Sequence, residues 1–104
     1  SAKVLLNYSQ ESGAIFGDAY LCKLPKKSIG KMYDFLLHEN YKLKYLRFSI
    51  SKQDIILSLA IFGQFVKLET ALEQIEYLLK KSDDYDDMLV DEYGASWRNK
   101  ENDK

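Results

Sequence analysis

The chain has 104 residues, of which 46% are hydrophobic and 13% aromatic, a length and composition that predict one domain with a single buried core. Its 15 basic and 16 acidic residues leave a formal net charge of -1, so no chain-wide positive field favours nucleic acid or an anionic membrane. Cys22 is the only cysteine, which excludes an internal disulfide, and no apolar run approaches the roughly 20 residues that cross a bilayer.

The first quarter of the chain predicts two strands. Residues 3–8 contain a short apolar run typical of a strand, and the polar residues up to Gly13 predict a turn. Residues 14–24 resume as a second strand, in which Gly17 marks a bulge or a break. Pro25, the only proline, stands where this strand is expected to end and a helix to follow.

A helix and a hairpin are predicted next. Residues 28–39 place apolar side chains at the spacing of one buried helical stripe. Residues 45–51 then alternate, with Leu46 on one face and Tyr45 and Arg47 on the other. After a polar turn, residues 55–61 form a second strand that is apolar on both faces, which indicates a central position in the sheet or a further neighbour that covers it.

The last third predicts a second helix and a polar tail. Residues 66–80 carry an apolar stripe, and residues 82–85 are expected to interrupt or cap this helix, with a further turn or two beyond. From residue 94 the chain is polar apart from Trp97 and is expected to be disordered. We therefore predict a single domain over residues 3–93 and a tail over 94–104.

Together these elements predict an α+β fold with the order β-β-α-β-β-α. An antiparallel sheet of about four strands would carry two helices packed on it.

The stretches that carry a family resemblance are the end of the first helix, Tyr33-Asp34-Phe35-Leu36-Leu37-His38-Glu39-Asn40, the hairpin strands over 46–50 and 55–59, and the amphipathic stretch over 68–79. In this order they resemble the fold of type III secretion chaperones and of the YbjN family. Members of those families usually begin with a helix, whereas residues 3–24 predict strands. The resemblance implies a non-catalytic bacterial protein of the cytoplasm that needs no cofactor. It also implies that another polypeptide is held along the sheet edge or in apolar grooves, often by a dimer.

Two residues invite a catalytic interpretation. His38, the only histidine, could act as a base or a ligand, but no Ser or Cys is tied to it by sequence, so a helix-end histidine beside the helix dipole is favoured. Cys22 is flanked by apolar residues and is favoured as a small buried hydrophobe over a nucleophile.

Two charged clusters invite other functions. The acidic residues of 83–87 could attract calcium, but Tyr85 interrupts them and no glycine follows at loop spacing, so a solvated helix end or an acidic patch facing a partner is favoured. Six lysines interleaved with Tyr41 and Tyr45 could bind single-stranded nucleic acid, yet a solvated surface is favoured for them; they are Lys23, Lys26, Lys27, Lys31, Lys42 and Lys44.

We expect a protein-binding or chaperone-like module whose partner is another protein or a peptide segment, with Tyr45, Arg47, Ile56 and Trp97 as partner-binding residues and a homodimer as one form. The chain is expected to bind no metal ion, cofactor or nucleic acid and to have no contact with a membrane. The alternative is a small enzyme or ligand-binding domain whose site is completed by missing sequence or by a second subunit.

Overall fold

The computed structural model describes residues 2–63 and 66–98. Its elements in chain order are β1 (Lys3–Ser9), β2 (Ala14–Lys23), α1 (Ile29–Lys42), β3 (Leu46–Ser51), β4 (Asp54–Phe62) and α2 (Leu68–Tyr93). This β-β-α-β-β-α order, with four antiparallel strands in one sheet, confirms the predicted fold class.

The strands lie in the order β1-β2-β4-β3. The prediction of a central position for the second hairpin strand is confirmed, because β4 pairs with β2 on one side and with β3 on the other. Its apolar residues on both faces fit that place. The sheet therefore has two edges, β1 and β3.

One face of the sheet, the inner face, is covered by helices. The residues that point to it recur at every second position of β4, as in Leu57, Leu59 and Ile61, and all are buried in the main core. Helix α2 packs on β2 and β4, whereas α1 packs on β3. Neither helix of residues 2–63 and 66–98 packs on the opposite, outer face.

At Gly17 of β2, a side chain of α2 comes close to the backbone of the sheet. A Cβ atom at this position would stand 3.0 Å from methyl groups of both Leu6 and Leu78. Only a residue without a side chain lets these two leucines meet over the strand. The bulge in β2 lies further along, between Tyr20 and Cys22, and not at the glycine where the sequence suggested one.

Helix α2 runs unbroken over Leu68–Tyr93, so the predicted interruption at 82–85 is wrong. Ser82 and Asp86 fall on the same helical stripe as Leu78 and Leu89, and all four are buried. The Ser82 hydroxyl donates to the Leu78 carbonyl over 2.6 Å and so needs no partner outside the helix. Packing of this stripe outweighs the weak helix preference of Ser and Asp. Gly94, with a φ of 78°, ends the helix.

The segment after α2 returns to the sheet. Ser96 and Lys23 exchange two backbone hydrogen bonds of 2.7 and 3.1 Å, and Ala95 is buried. Arg98 pairs with Asp54 over 2.8 Å and lies over the ring of Tyr20 on the outer face. Residues 94–98 of the predicted tail are thus placed against the domain, and 99–104 lie outside the described residues.

Candidate partner-binding surface

The β3 edge of the sheet is closed by a side chain of α1. The Asn40 amide accepts a 2.7 Å hydrogen bond from the Phe48 backbone N–H and donates one of 3.4 Å to the Phe48 carbonyl. Asn40 therefore takes the place that a neighbouring strand would occupy. Backbone groups along an antiparallel strand point alternately towards and away from the neighbouring strand. The backbone N–H and C=O groups of Leu46 and Ile50 therefore point away from β4, as those of Phe48 do.

Arg47 extends this closure. Its guanidinium donates to the Leu46 carbonyl over 2.6 Å and to the Leu43 carbonyl over 3.2 Å. Two successive outward positions of β3 are thus already occupied by hydrogen-bonding side chains. A further strand could pair here only after these contacts had broken.

The β1 edge has no such closure. Within the described residues, no hydrogen bond from outside the β1–β2 pair reaches residues 3–8. The strand contains no proline, and Lys3 is its only charged residue, so it lacks the devices that usually protect an edge. Leu5, Leu6 and Tyr8 are 43%, 51% and 65% exposed. An edge of this kind is a template for one more strand.

The outer face beside β1 is mixed, since Leu5 lies opposite Asp18 and Asn7 lies opposite Phe16. Phe16 and Phe62 are exposed there, and Leu5 of β1 lies in the neighbouring row. One polar pair crosses this face, where the Ser58 hydroxyl donates to the Asp18 carboxylate over 2.7 Å. A strand added at β1 would lie beside Leu5 on the outer face of the sheet and beside Leu6 and Tyr8 on the inner face.

The four residues predicted to bind a partner do not form one surface. Arg47 and Ile56 lie on the outer face, but Ile56 is only 6% exposed and offers little area. Tyr45 precedes β3 with a φ of 69°, which breaks the alternation, and its ring meets that of Tyr77 on α2. Trp97 is half-buried between Ser96 and Arg98 in the returning segment. Their role in binding stays a prediction.

The two catalytic candidates lie apart. His38 is on the exposed surface of α1, where Nδ1 lies 2.8 Å from the Asp34 carbonyl. Cys22 is fully buried in β2. Burial, reinforced by the charges of Asp86 and Asp54, raises the pKa of its thiol to about 12. A thiol in this state is not a nucleophile at neutral pH.

The acidic residues of 83–87 lie within α2 and form no loop. The described part of the chain holds no group of three or more His, Cys, Asp or Glu side chains that could bind a metal ion. The lysine cluster is spread over β2, α1 and the intervening loops. One of its members, Lys42, pairs with Glu39 over 3.2 Å.

Glu39 joins the two helices. The Tyr85 hydroxyl of α2 donates to its carboxylate over 2.7 Å, and this hydrogen bond, with Lys42 beside it, holds the pKa of Glu39 below its usual value. Burial and the same carboxylate raise the pKa of Tyr85. The Tyr85 ring packs edge-on against Phe35 and Phe48. The contact between Tyr85 and Glu39 holds α1 beside β3, the position from which Asn40 bonds to Phe48.

A second apolar surface lies between α1 and β3. It is a groove of about 230 Å³, and Leu37, Tyr33 and Ile50 at its rim are exposed. The lining residues are Tyr33, Leu36, Leu37, Asn40, Phe48, Ser49 and Ile50. We call this the α1–β3 groove.

Sequence reasoning missed the contrast between the two edges. The run around Leu5 predicted a strand, but nothing in the sequence said that this strand would lie at an edge. Asn40 was interpreted as the helix exit, and its bond to Phe48 has no sequence signature. The one available signal was that residues 3–8 combine apolar side chains on both faces with a single charge.

Neither helix of the described residues is long and apolar enough to span a membrane. No family model and no curated protein matches the chain. A chain in the crystal structure of the ExsC–ExsE complex is similar in structure, with a TM-score of 0.68 and 15% sequence identity, covering 86% of this chain and 69% of that chain. At this identity the likeness concerns the fold alone. It supports the type III secretion chaperone-like fold and gives no support to the YbjN-like family.

Proposed function

We propose that this chain is a non-catalytic, chaperone-like module that holds an extended segment of a partner polypeptide along the free edge of β1. The observation that carries the proposal is the difference between the edges: Asn40 and Arg47 occupy β3, whereas β1 presents unpaired backbone groups between exposed apolar side chains. Main-chain hydrogen bonds would supply affinity, and the exposed side chains of β1 would select the sequence bound. The buried, unpaired Cys22 suits the cytoplasm, where thiols stay reduced.

The proposal is tested with peptides selected from a random library against the full chain. Because a strand uses alternate amides on each of its edges, a selected peptide is made in two forms, each N-methylated at one alternating set. We expect one form to lose affinity by about tenfold or more and the other to bind as the parent does. Equal loss in both forms, or loss in neither, contradicts strand addition.

A pair of protein variants locates the binding edge. Leu5→Lys places a charge on the free edge of β1, and Leu37→Lys is the matched control, since both leucines are exposed. Only Leu5→Lys is expected to weaken the selected peptides, by about tenfold. The opposite pattern would move the site to the α1–β3 groove and overturn the assignment to β1.

We also propose that two copies associate through the α1–β3 groove. Support comes from the exposed apolar side chains at its rim and from the closed β3 edge, which restricts association there to side-chain packing. Light scattering is expected to give twice the 12.1 kDa of one chain. Leu37→Asp should return the mass to one chain, while Leu72→Asp, an exposed leucine of α2, should not. A wild-type mass of one chain overturns this proposal.

A further inference from the structure

The first half of α2 has a flank that no other element covers. Three successive residues fix its direction: the Tyr77 ring meets Tyr45 beside β3, and Leu78 reaches down onto Gly17 of β2. With about 100° between successive helical residues, Leu79 points away from Tyr77 and towards β1. Leu72, two turns earlier, lies on the same flank.

The strand beneath this flank is also uncovered. The helices pack chiefly on the other strands, α2 on β2 and β4 and α1 on β3. Leu6 points to the inner face, because its methyl group, like that of Leu78, would stand 3.0 Å from a Cβ atom at Gly17, and Tyr8 follows at the next inward position. Leu72 and Leu79 are 52% and 45% exposed, and both β1 residues are more than half exposed. We name the surface formed by Leu6, Tyr8, Leu72 and Leu79 the β1–α2 trough.

A row of acidic side chains borders the trough on the side away from the sheet. Glu69, Glu73 and Glu76 recur at the spacing of one helical face. All three are exposed, and none forms a salt bridge with any residue that the structure describes. Lys80, one helical turn after Glu76, pairs with Asp84 over 3.4 Å. The border of the trough is therefore negatively charged.

We propose that the β1–α2 trough binds a basic amphipathic helix of a partner polypeptide. Neighbouring helices pack with their axes about 8–10 Å apart. Because α2 packs on β2 and β4, a second helix at that distance would lie on β1. Apolar side chains of the bound helix would cover Leu6, Tyr8, Leu72 and Leu79, and its lysines or arginines would meet the acidic row. This site uses the inner face of β1, so it stands independently of a strand paired at the β1 edge.

The probe is a synthetic, fluorescein-labelled helix of about 14 residues, long enough to pass the trough at 1.5 Å per residue, with leucines on one face and lysines beside them. A second peptide replaces each lysine with glutamate. The lysine peptide is expected to bind the full chain about tenfold more tightly than the glutamate peptide and to gain helicity by circular dichroism on binding. Leu72→Ser with Leu79→Ser should remove about tenfold of that affinity, and Ile29→Ser, at an exposed apolar residue of α1 outside the trough and the α1–β3 groove, should not.

Charge reversal provides the second arm. With Glu69→Lys, Glu73→Lys and Glu76→Lys together, the preference should change to the glutamate peptide. The substituted side chains are exposed, and thermal unfolding checks that each variant is folded.

Three results would overturn the proposal: equal affinity for the two peptides, no effect of the Leu72 and Leu79 changes, or binding without a gain of helix. Loss of dimer mass in the Leu72 and Leu79 variant would also overturn it, by assigning the trough to a second copy. None of these results bears on the N-methylated peptides, which probe the β1 edge.

Discussion

Asp86 is buried in the core and forms no salt bridge with any residue that the structure describes. It is 2% exposed, and its Oδ2 has no hydrogen-bond partner among the described residues. Burial, with Asp87 adding to it, raises the pKa of this carboxyl. The folded chain therefore holds the proton more tightly than the unfolded chain. The stability that this group contributes is fully present below the ordinary carboxyl pKa of about 4 and is lost as pH rises through the raised value.

Asp86→Asn is expected to raise the free energy of unfolding at pH 7, by about 1–3 kcal/mol, because it removes the charge from a buried, unpaired group. The gain should shrink as the pH falls below about 4, where the wild-type carboxyl becomes protonated in both the folded and the unfolded state. Urea unfolding of both proteins across this pH range measures the difference in their free energies of unfolding. Glu39, whose pKa is lowered, has the opposite pH dependence, but it is present in both proteins and cancels in the difference. Asp83→Asn, on the exposed face, is the control. A difference independent of pH would contradict a raised pKa at Asp86.

At the scale of the element, Asn40 decides which edge of the sheet is open. Asn40→Ala removes both side-chain bonds to Phe48 and leaves partly buried backbone groups unpaired. We expect a loss of about 1–3 kcal/mol in the free energy of unfolding and faster hydrogen exchange at the Phe48 amide. His38→Ala, an exposed change on the same helix, should alter neither. An unchanged Phe48 exchange rate would show that α1 closes this edge without Asn40.

The elements themselves were largely predictable, because their apolar periods are local properties of the sequence. The apolar residues on both faces of 55–61 predicted both β4 and its central place. The unbroken course of α2 was not predictable, since Ser82 and Asp86 suggest a break until the core that buries them is known. Tyr45 was assigned to the wrong face for a similar reason: its positive φ depends on the turn between α1 and β3.

For the whole molecule, the proposed function depends on the order β1-β2-β4-β3, which is a matter of long-range pairing. The sequence predicted four strands and two helices on them, but not which strands would form the edges. Apolar residues of β1 that look like ordinary core residues are left exposed because, within the part of the chain that the structure describes, neither a further strand nor a helix layer follows them. The candidate site could therefore be located only once this order was known.

The most direct test of the account is to map intermolecular nuclear Overhauser effects between a selected peptide and isotope-labelled full chain. Strand addition at the β1 edge predicts backbone-to-backbone contacts between the peptide and residues 3–9 in the alternating pattern of a paired strand. The hydrogen bonds between Asn40 and Phe48 should remain intact. Contacts confined to the α1–β3 groove or to side chains of the outer face, with no backbone contact to β1, would contradict it.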